Sequence, residues 1–238
     1  MKNLIVANWK MNPQAYKEAE DLIKGVVDNI KETDAEVVIC PPFTWLTDFS
    51  HKNESSISFG AQNVFYEDKG AFTGEISPQM LKNSGVEYVI IGHSERRKYF
   101  GETDEVINKK IKKALEVGLK VIFCIGETTE ERDAGKKNEV LQRQISRGLT
   151  GIAFSENLNV AYEPVWAIGT GNNCSTQEAK EAFDFIRKFI KDARILYGGS
   201  VKSENSGVYI KEAGANGLLV GGASLNAEKF IKIVKSAE

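Results

Sequence analysis

The sequence has few cysteines, few histidines and no long apolar segment. Its 238 residues include three cysteines, which stand far apart at positions 40, 124 and 174. An odd number of separated cysteines argues against a disulfide framework and against a zinc site, and it fits a reducing compartment. No apolar run approaches the roughly 18 residues that a membrane-spanning helix requires. The sequence therefore predicts a protein without membrane spans.

The chain also lacks a strong net charge. Its 31 basic and 33 acidic residues leave a formal charge of −2. Such a balance provides no overall field to hold nucleic acid or an anionic membrane. Two short basic clusters, residues 109–113 and 136–137, fall in helical patterns and are predicted to be solvated helix faces. No secretory signal pattern opens the chain, so we expect a cytoplasmic protein.

Short β-branched runs alternate with segments of helical period along the whole chain. This alternation predicts parallel strands joined by right-handed crossovers, and eight units in 238 residues match the size of a (β/α)₈ barrel. An open doubly wound sheet is the alternative, but it normally carries a glycine-rich fingerprint after its first strand. Here Asn8-Trp9-Lys10 follows instead, and no linker divides the chain. We therefore predict the α/β class, with residues 1–238 forming one (β/α)₈ barrel of eight parallel strands. The predicted strands are 4–7, 37–40, 57–61, 88–91, 121–125, 159–162, 195–197 and 218–220, and the predicted helices are 15–30, 44–51, 77–83, 103–117, 130–147, 176–191, 203–213 and 227–235.

Polar residues follow several of the predicted strands. In a barrel the carboxyl ends of all strands open on one rim, which is where such folds carry function. Glu163 ends an apolar strand and precedes Pro164, so its carboxylate would be partly desolvated, which is costly unless the group is needed or paired. Taken alone, His93 is equally well a structural residue and Lys10 a surface lysine. The residues at this rim are Asn8 and Lys10 after strand one, His93, Ser94 and Glu95 after strand four, Glu163 and Pro164 after strand six, 198–200 after strand seven, and 221–222 after strand eight.

Paired glycines follow the last two predicted strands, at 198–199 and 221–222. Tight turns are the usual reason for such pairs. However, barrels commonly hold a phosphate after strands seven and eight, on backbone N–H groups and the start of a short helix. The position of these glycines therefore predicts a substrate that carries a phosphate.

Six motifs stand in order along nearly the whole chain: residues 8–12 (NWKMN), 92–97 (GHSERR), 124–127 (CIGE), 162–171 (YEPVWAIGTG), 197–201 (YGGSV) and 220–225 (VGGASL). Together they resemble the triosephosphate isomerase family. The resemblance implies interconversion of dihydroxyacetone phosphate and glyceraldehyde 3-phosphate through an enediol or enediolate, with no metal and no organic cofactor. It also implies that Glu163 is the general base, His93 a neutral electrophile and Lys10 the cation that holds the substrate. Asn8 would contact the substrate, and Glu95 would pair with Lys10 or relay a proton.

The chemistry of an enediolate requires these residue types independently. A carboxylate must reach two adjacent carbons while hydrogen-bond donors stabilise charge on both oxygens. A neutral imidazole suits the donor role because its acidity is close to that of the enediol. Residues 94–97 could begin a helix, and its N-terminal dipole would lower the pKa of His93.

Two loops acquire roles through the resemblance. Residues 164–170 would form a mobile lid, and its closure would protect the intermediate from losing phosphate to water. Gly169, Ser200, Gly221 and Gly222 would then contact the phosphate. Residues 62–77, hereafter loop 62–77, are long and aromatic, and the resemblance implies that they dock into a partner subunit of a homodimer. A loop folded onto its own barrel is the alternative.

Two other functions fit a barrel with a phosphate site. A Schiff-base sugar-phosphate aldolase would need a desolvated lysine within a strand, whereas strand six offers Glu163 there. A phosphate-binding barrel without catalysis would lack the base or the electrophile, and both are present in this sequence.

Overall fold

Eight parallel strands close into a barrel in the order β1 to β8, and β8 pairs with β1. The structure is a computed structural model that describes residues 1–30, 33–51, 53, 55–169 and 173–238. The predicted (β/α)₈ barrel is confirmed, and the bounds of each predicted strand differ from those observed by at most one residue. Within the described residues no helix is long and apolar enough to cross a membrane. The strands are β1 Leu4–Asn8, β2 Glu36–Cys40, β3 Ser58–Ala61, β4 Tyr88–Ile91, β5 Lys120–Ile125, β6 Leu158–Tyr162, β7 Ile195–Tyr197 and β8 Gly217–Val220.

Helices connect successive strands, and one predicted helix is divided in two. The periodicity of residues 130–147 predicted a single helix, but a break separates α6 from α7. Gly135 causes the break because it adopts the left-handed region with φ 71°, which ends a helix. The helices are α1 Tyr16–Val27, α2 Phe43–His51, α3 Pro78–Asn83, α4 Ser94–Phe100, α5 Asp104–Glu116, α6 Thr129–Asp133, α7 Lys137–Gly148, α8 Thr176–Arg187, α9 Ser206–Lys211 and α10 Ala227–Ser236.

The apolar core has two layers, one inside the barrel and one between the strands and the helices. Successive side chains of a strand point to opposite faces. In β1, Leu4 and Val6 belong to the inner layer, whereas Ile5 and Ala7 belong to the outer layer. Both faces of β1 are therefore buried, which is why the strand is apolar throughout rather than alternating.

A charged cluster lies at the amino ends of the strands, opposite the predicted active rim. Arg194 donates hydrogen bonds to Glu36 at 2.6 Å and to Asn159 at 2.7 Å. Lys120 donates to Glu36 at 3.1 Å, and the Tyr88 hydroxyl donates to the same carboxylate. Burial raises the pKa of Glu36, but the hydrogen bonds from Arg194 and Tyr88, with the charges around them, lower it to about 2. This end of the barrel is therefore held together by an ionised carboxylate.

We predict that Glu36→Gln destabilises the protein by about 1.5–3 kcal/mol at pH 7, because hydrogen bonds to a charged group are lost. The folded pKa is about 2 against an ordinary value of 4.5, so this stabilisation is complete above pH 4.5 and is lost as the pH falls towards 2. Urea unfolding of both proteins between pH 7 and pH 3 measures the difference. Glu156→Gln, in the loop before β6, is the control. If the difference in unfolding free energy between wild type and Glu36→Gln does not become smaller in acid, the role of the Glu36 carboxylate is contradicted.

Candidate active site

Glu163 directly follows β6, and its side chain is 2% exposed. One carboxylate oxygen accepts a hydrogen bond from the Ser94 backbone N–H at 2.8 Å. The other accepts one from the Ser94 hydroxyl at 3.4 Å and lies 3.0 Å from His93 Nε2. Burial raises the pKa of Glu163. The charge and hydrogen bond of His93 and the N–H of Ser94 lower it by more, so the pKa lies below its ordinary value. The buried carboxylate is therefore ionised and can accept a proton.

His93 lies at the N-cap of α4, and its Nδ1 accepts a hydrogen bond from the Glu95 backbone N–H at 3.2 Å. A neutral ring in this position carries its proton on Nε2, which faces Glu163. Burial lowers the pKa of His93, but the charge and hydrogen bond of Glu163, together with the charge of Glu95, raise it, and the net direction is up. The helix begins at Ser94 as the sequence predicted, yet the predicted lowering of the pKa is wrong for this arrangement. The two neighbouring carboxylates account for the difference.

Lys10 has an unusual backbone conformation that two side chains support. It is a non-glycine residue with φ 54°, a region that L-residues adopt at a cost. The Asn8 side chain accepts the Lys10 N–H at 3.1 Å, and the Gln62 side chain donates to the Lys10 carbonyl at 2.8 Å. The Lys10 ammonium pairs with Glu95 at 2.5 Å. These contacts fix the direction of the lysine side chain at the exit of β1.

Two glycines confine the base from either side. A Cβ on Gly126 would lie 1.7 Å from the Glu163 carbonyl oxygen, and one on Gly198 would lie 3.1 Å from Glu163 Cγ. Gly126 follows β5 and Gly198 follows β7, which are the two neighbours of β6. The backbone of Gly126 therefore comes closer to that of Glu163 than any other residue type would permit, and Gly198 leaves little room beside the Glu163 side chain.

A cavity of about 440 Å³ lies at the carboxyl end of the barrel. It brings together eight of the nine predicted site residues, and Glu95 reaches the site through its pair with Lys10 instead. Gly221 and Gly222 begin the short 3₁₀ helix Gly222–Leu225, whose first backbone groups suit an anion. The predicted site residues that line the cavity are Asn8, Lys10, His93, Glu163, Gly169, Ser200, Gly221 and Gly222.

Sequence reasoning assigned no role to two residues that organise this cavity. Ser94 was placed at the rim, and the structure shows that it supplies both a backbone and a side-chain contact to Glu163. Gln62 bonds the carbonyls of Lys10 and Cys40, both at 2.8 Å, although it lies 52 residues from Lys10 in sequence. No local pattern indicates that contact.

The predicted lid is described over residues 164–169, and Thr170 lies outside the described residues. Within it Val165–Ala167 forms a short 3₁₀ helix. The Trp166 indole donates to the buried Glu127 carboxylate at 2.8 Å, and the Arg132 guanidinium stacks 3.7 Å from the Trp166 ring centre. The Ser200 hydroxyl donates to the Ala167 carbonyl at 2.6 Å, which joins this segment to the loop after β7.

These groups suit one type of reaction. Removing a proton beside a carbonyl requires an ionised base and donors for the oxygen that becomes negative, and the cavity has both next to a glycine-lined pocket for an anion. The fold and the site thus define a class, the (β/α)₈ aldose–ketose isomerases that act on small phosphorylated carbonyl compounds.

Comparison with known proteins agrees with this class. The family model for triosephosphate isomerase matches residues 3–237. The triosephosphate isomerase of Carboxydothermus hydrogenoformans is 48% identical over 99% of both chains. That of Aquifex aeolicus is 47% identical over 99% of this chain and 100% of its own, and that of Alkaliphilus oremlandii is 46% identical over 98% of both. The chain belongs to the triosephosphate isomerase family, so the resemblance found in the sequence is confirmed. It is an enzyme, and interconversion of the two triose phosphates is its reaction.

We predict that Gly126→Ala lowers turnover by about 10²-fold or more. A Cβ 1.7 Å from the Glu163 carbonyl oxygen must displace Glu163, and a misplacement near 1 Å can cost about 10²-fold in rate. Gly207→Ala is the control, since a Cβ there meets only Ser236 atoms at 3.7 and 3.8 Å. Steady-state kinetics and a thermal melt of each variant provide the comparison. A Gly126→Ala enzyme with normal turnover would show that this close approach does not position the base.

Proposed function

We propose that this chain interconverts dihydroxyacetone phosphate and D-glyceraldehyde 3-phosphate, in glycolysis and gluconeogenesis, with Glu163 as the general base. The ionised carboxylate of Glu163, buried beside the imidazole of His93, is the observation that carries the proposal. Membership of the family supports the same reaction and favours neither the aldolase nor the silent barrel.

In this proposal Glu163 leaves Ser94 and turns towards the cavity when the substrate binds. One carboxylate can serve both reacting carbons, which lie one bond apart, while His93 Nε2–H and the Lys10 ammonium stabilise negative charge on the oxygens. As the carboxylate moves away, its raising effect on the pKa of His93 weakens, whereas the start of α4 still favours the neutral ring. The neutral electrophile therefore arises as the base engages. Asn8 would contact the substrate, and Glu95 would hold Lys10 in place.

The phosphate of the substrate would bind to backbone groups of Gly169, Gly221 and Gly222 and to Ser200. These four residues come from three different loops, those after β6, β7 and β8, and all of them line the cavity. Residues 164–170 would act as a mobile lid that closes over the bound phosphate and keeps water from the intermediate. The Ser200–Ala167 hydrogen bond supports this role, because it links the lid to the phosphate pocket.

We also propose a homodimer in which loop 62–77 docks against a second copy of the chain. Residues 67–75 of this loop are all exposed, while Phe65 stacks on Tyr66 and makes a tilted ring contact with Phe72. The start of the loop contacts α5 of its own barrel, and the exposed stretch is left available to a partner. Large apolar side chains are exposed on this loop, in the segment after β1 and in α4, which supports an interface on this part of the surface. The exposed fractions are 83% for Met11, 43% for Phe72, 67% for Tyr99 and 68% for Phe100.

A cytoplasmic enzyme without cofactor, and without nucleic-acid or membrane partners, completes the proposal. Cys40, Cys124 and Cys174 are free and buried, as expected of a protein in a reducing compartment. The net charge of −2 offers no field for polyanions. Across the described ranges no group of three or more His, Cys, Asp or Glu residues is arranged to hold a metal ion.

The reaction is tested by isomerisation of glyceraldehyde 3-phosphate, coupled to NADH oxidation by glycerol-phosphate dehydrogenase. We expect rapid turnover, abolished in Glu163→Gln. Glu163→Asp withdraws the carboxylate by about one C–C bond, so turnover falls by about 10²-fold or more while binding is kept. Glu156→Gln is the matched control and keeps normal turnover. Unchanged turnover in Glu163→Asp would contradict the assignment of Glu163 as the general base. A folded wild-type chain without turnover would contradict the proposed function.

The dimer is tested by light scattering during size-exclusion chromatography. We expect a mass of twice 26.3 kDa for the wild-type chain. Phe72→Asp places a charge on loop 62–77 and should shift the mass towards that of a monomer. Phe154→Asp alters another exposed phenylalanine, outside the proposed interface, and should leave the dimer intact. A wild-type monomer, or a Phe72→Asp variant as dimeric as the control, would contradict docking through this loop.

A further inference from the structure

Gln144 is a buried polar residue of α7 that bonds both backbone groups of Gly126. Its side chain accepts the Gly126 N–H at 2.8 Å and donates to the Gly126 carbonyl at 3.2 Å, and the residue is 4% exposed. Gly126 follows the last residue of β5. The amide of Gln144 therefore supplies the two hydrogen bonds that a neighbouring strand would supply if the sheet continued.

Gly126 lies against the backbone of Glu163. A Cβ on Gly126 would be 1.7 Å from the Glu163 carbonyl oxygen and 3.2 Å from its Cα, so the two backbones are in direct contact. The Glu163 N–H donates to the Ile125 carbonyl at 2.7 Å, and the Val165 N–H donates to the Glu127 carbonyl at 3.1 Å. Residues 125–127 therefore contact and hydrogen-bond the backbone of Glu163 and of the residues that follow it.

We propose that Gln144 is a positioning residue for the isomerase reaction, and that it sets the place of Glu163 through Gly126. The proposal rests on the role of Glu163 as the base. Gln144 does not line the catalytic cavity. It lines a separate cavity of about 560 Å³, which Gly126 and Glu163 also line. Its action on the reaction is therefore indirect.

The second cavity explains why loss of the Gln144 amide would move the base and not merely weaken the fold. Buried N–H and C=O groups that lose their hydrogen-bond partners are stable only if new partners replace them, and water in an adjoining cavity can provide the replacement hydrogen bonds. Gly126 lies beside such a space, so its backbone has room to shift towards it. Because Gly126 and Glu163 are in contact, a shift of Gly126 changes the distance from the carboxylate to the substrate carbons.

Catalysis is more sensitive to this distance than binding is. A misplacement near 1 Å can reduce a rate by about 10²-fold, whereas the proposed phosphate contacts lie in other loops. Displacement of Glu163 should therefore reduce kcat and leave KM nearly unchanged. It should also make proton abstraction slower than binding and release, which raises the kinetic isotope effect of substrate deuterated at the transferred position.

The test compares Gln144→Met, Gln144→Glu and Gln142→Met. Methionine has a similar length but makes neither hydrogen bond, whereas glutamate retains an acceptor for the Gly126 N–H and loses the donor to its carbonyl. Gln142 is exposed on the same helix and serves as the control. For Gln144→Met we expect kcat to fall by about 10- to 100-fold, with KM within about twofold of wild type and a larger isotope effect. Gln144→Glu should lie between wild type and Gln144→Met, and Gln142→Met should match wild type.

A Gln144→Met enzyme with a lower melting temperature but normal kcat and isotope effect would overturn the proposal, because Gln144 would then only stabilise α7. If Gln144→Met fails to fold, Gln144→Glu decides alone: a folded Gln144→Glu enzyme with wild-type kcat overturns the proposal, and one with reduced kcat and unchanged KM supports it. Absence of turnover in the wild-type chain would contradict the proposed function itself and, with it, this inference. Normal wild-type turnover with unaffected Gln144 variants contradicts this inference alone.

Discussion

The buried negative charge of Glu163 is the constraint from which the site follows. An ion removed from water costs several kcal/mol unless partners replace its hydration. Here the replacement comes from the Ser94 backbone N–H, the Ser94 hydroxyl and His93. A backbone N–H is free for this purpose only because α4 begins at Ser94, where the first turn of the helix has no internal partners. The short connection from β4 to α4 therefore helps to stabilise the charge of Glu163, because it places the first N–H groups of α4 beside the carboxylate.

Backbone proximity is the second constraint, and it explains where glycine is required. Gly126 and Gly198 flank Glu163, and Gly221 runs beside Lys10, with its Cβ position 3.4 Å from the lysine Cε. At Gly126 any side chain would collide with main-chain atoms, which cannot rotate away. At Gly221 the neighbour is a flexible side chain, and glycine there leaves the backbone open to an approaching anion. Glycines in different parts of the site thus have different physical reasons.

The sequence predicted the features that depend on local pattern and missed those that depend on distant packing. The eight strands were predicted correctly because each is a short, β-branched apolar run. The rim residues were found because the residues after every strand of a parallel barrel lie at the same end of the barrel. The break at Gly135 was missed because the periodicity continues across it. Gln62 and Gln144 were missed because a polar residue in a helix or loop gives no sign of being buried. The direction of the His93 pKa shift was wrong because it depends on where the Glu163 side chain rests.

Glu163 and the segment that follows it share one support, the three residues after Cys124. Ile125 accepts the Glu163 N–H, and Glu127 accepts both the Val165 N–H and the Trp166 indole. The Glu163 backbone touches Gly126 between them. In the proposed function, a lid that begins one residue after Glu163 would pull on this segment whenever its first residues move. Gln144 of α7 holds Gly126 through two hydrogen bonds, and such a support would limit how far Glu163 is displaced by that movement.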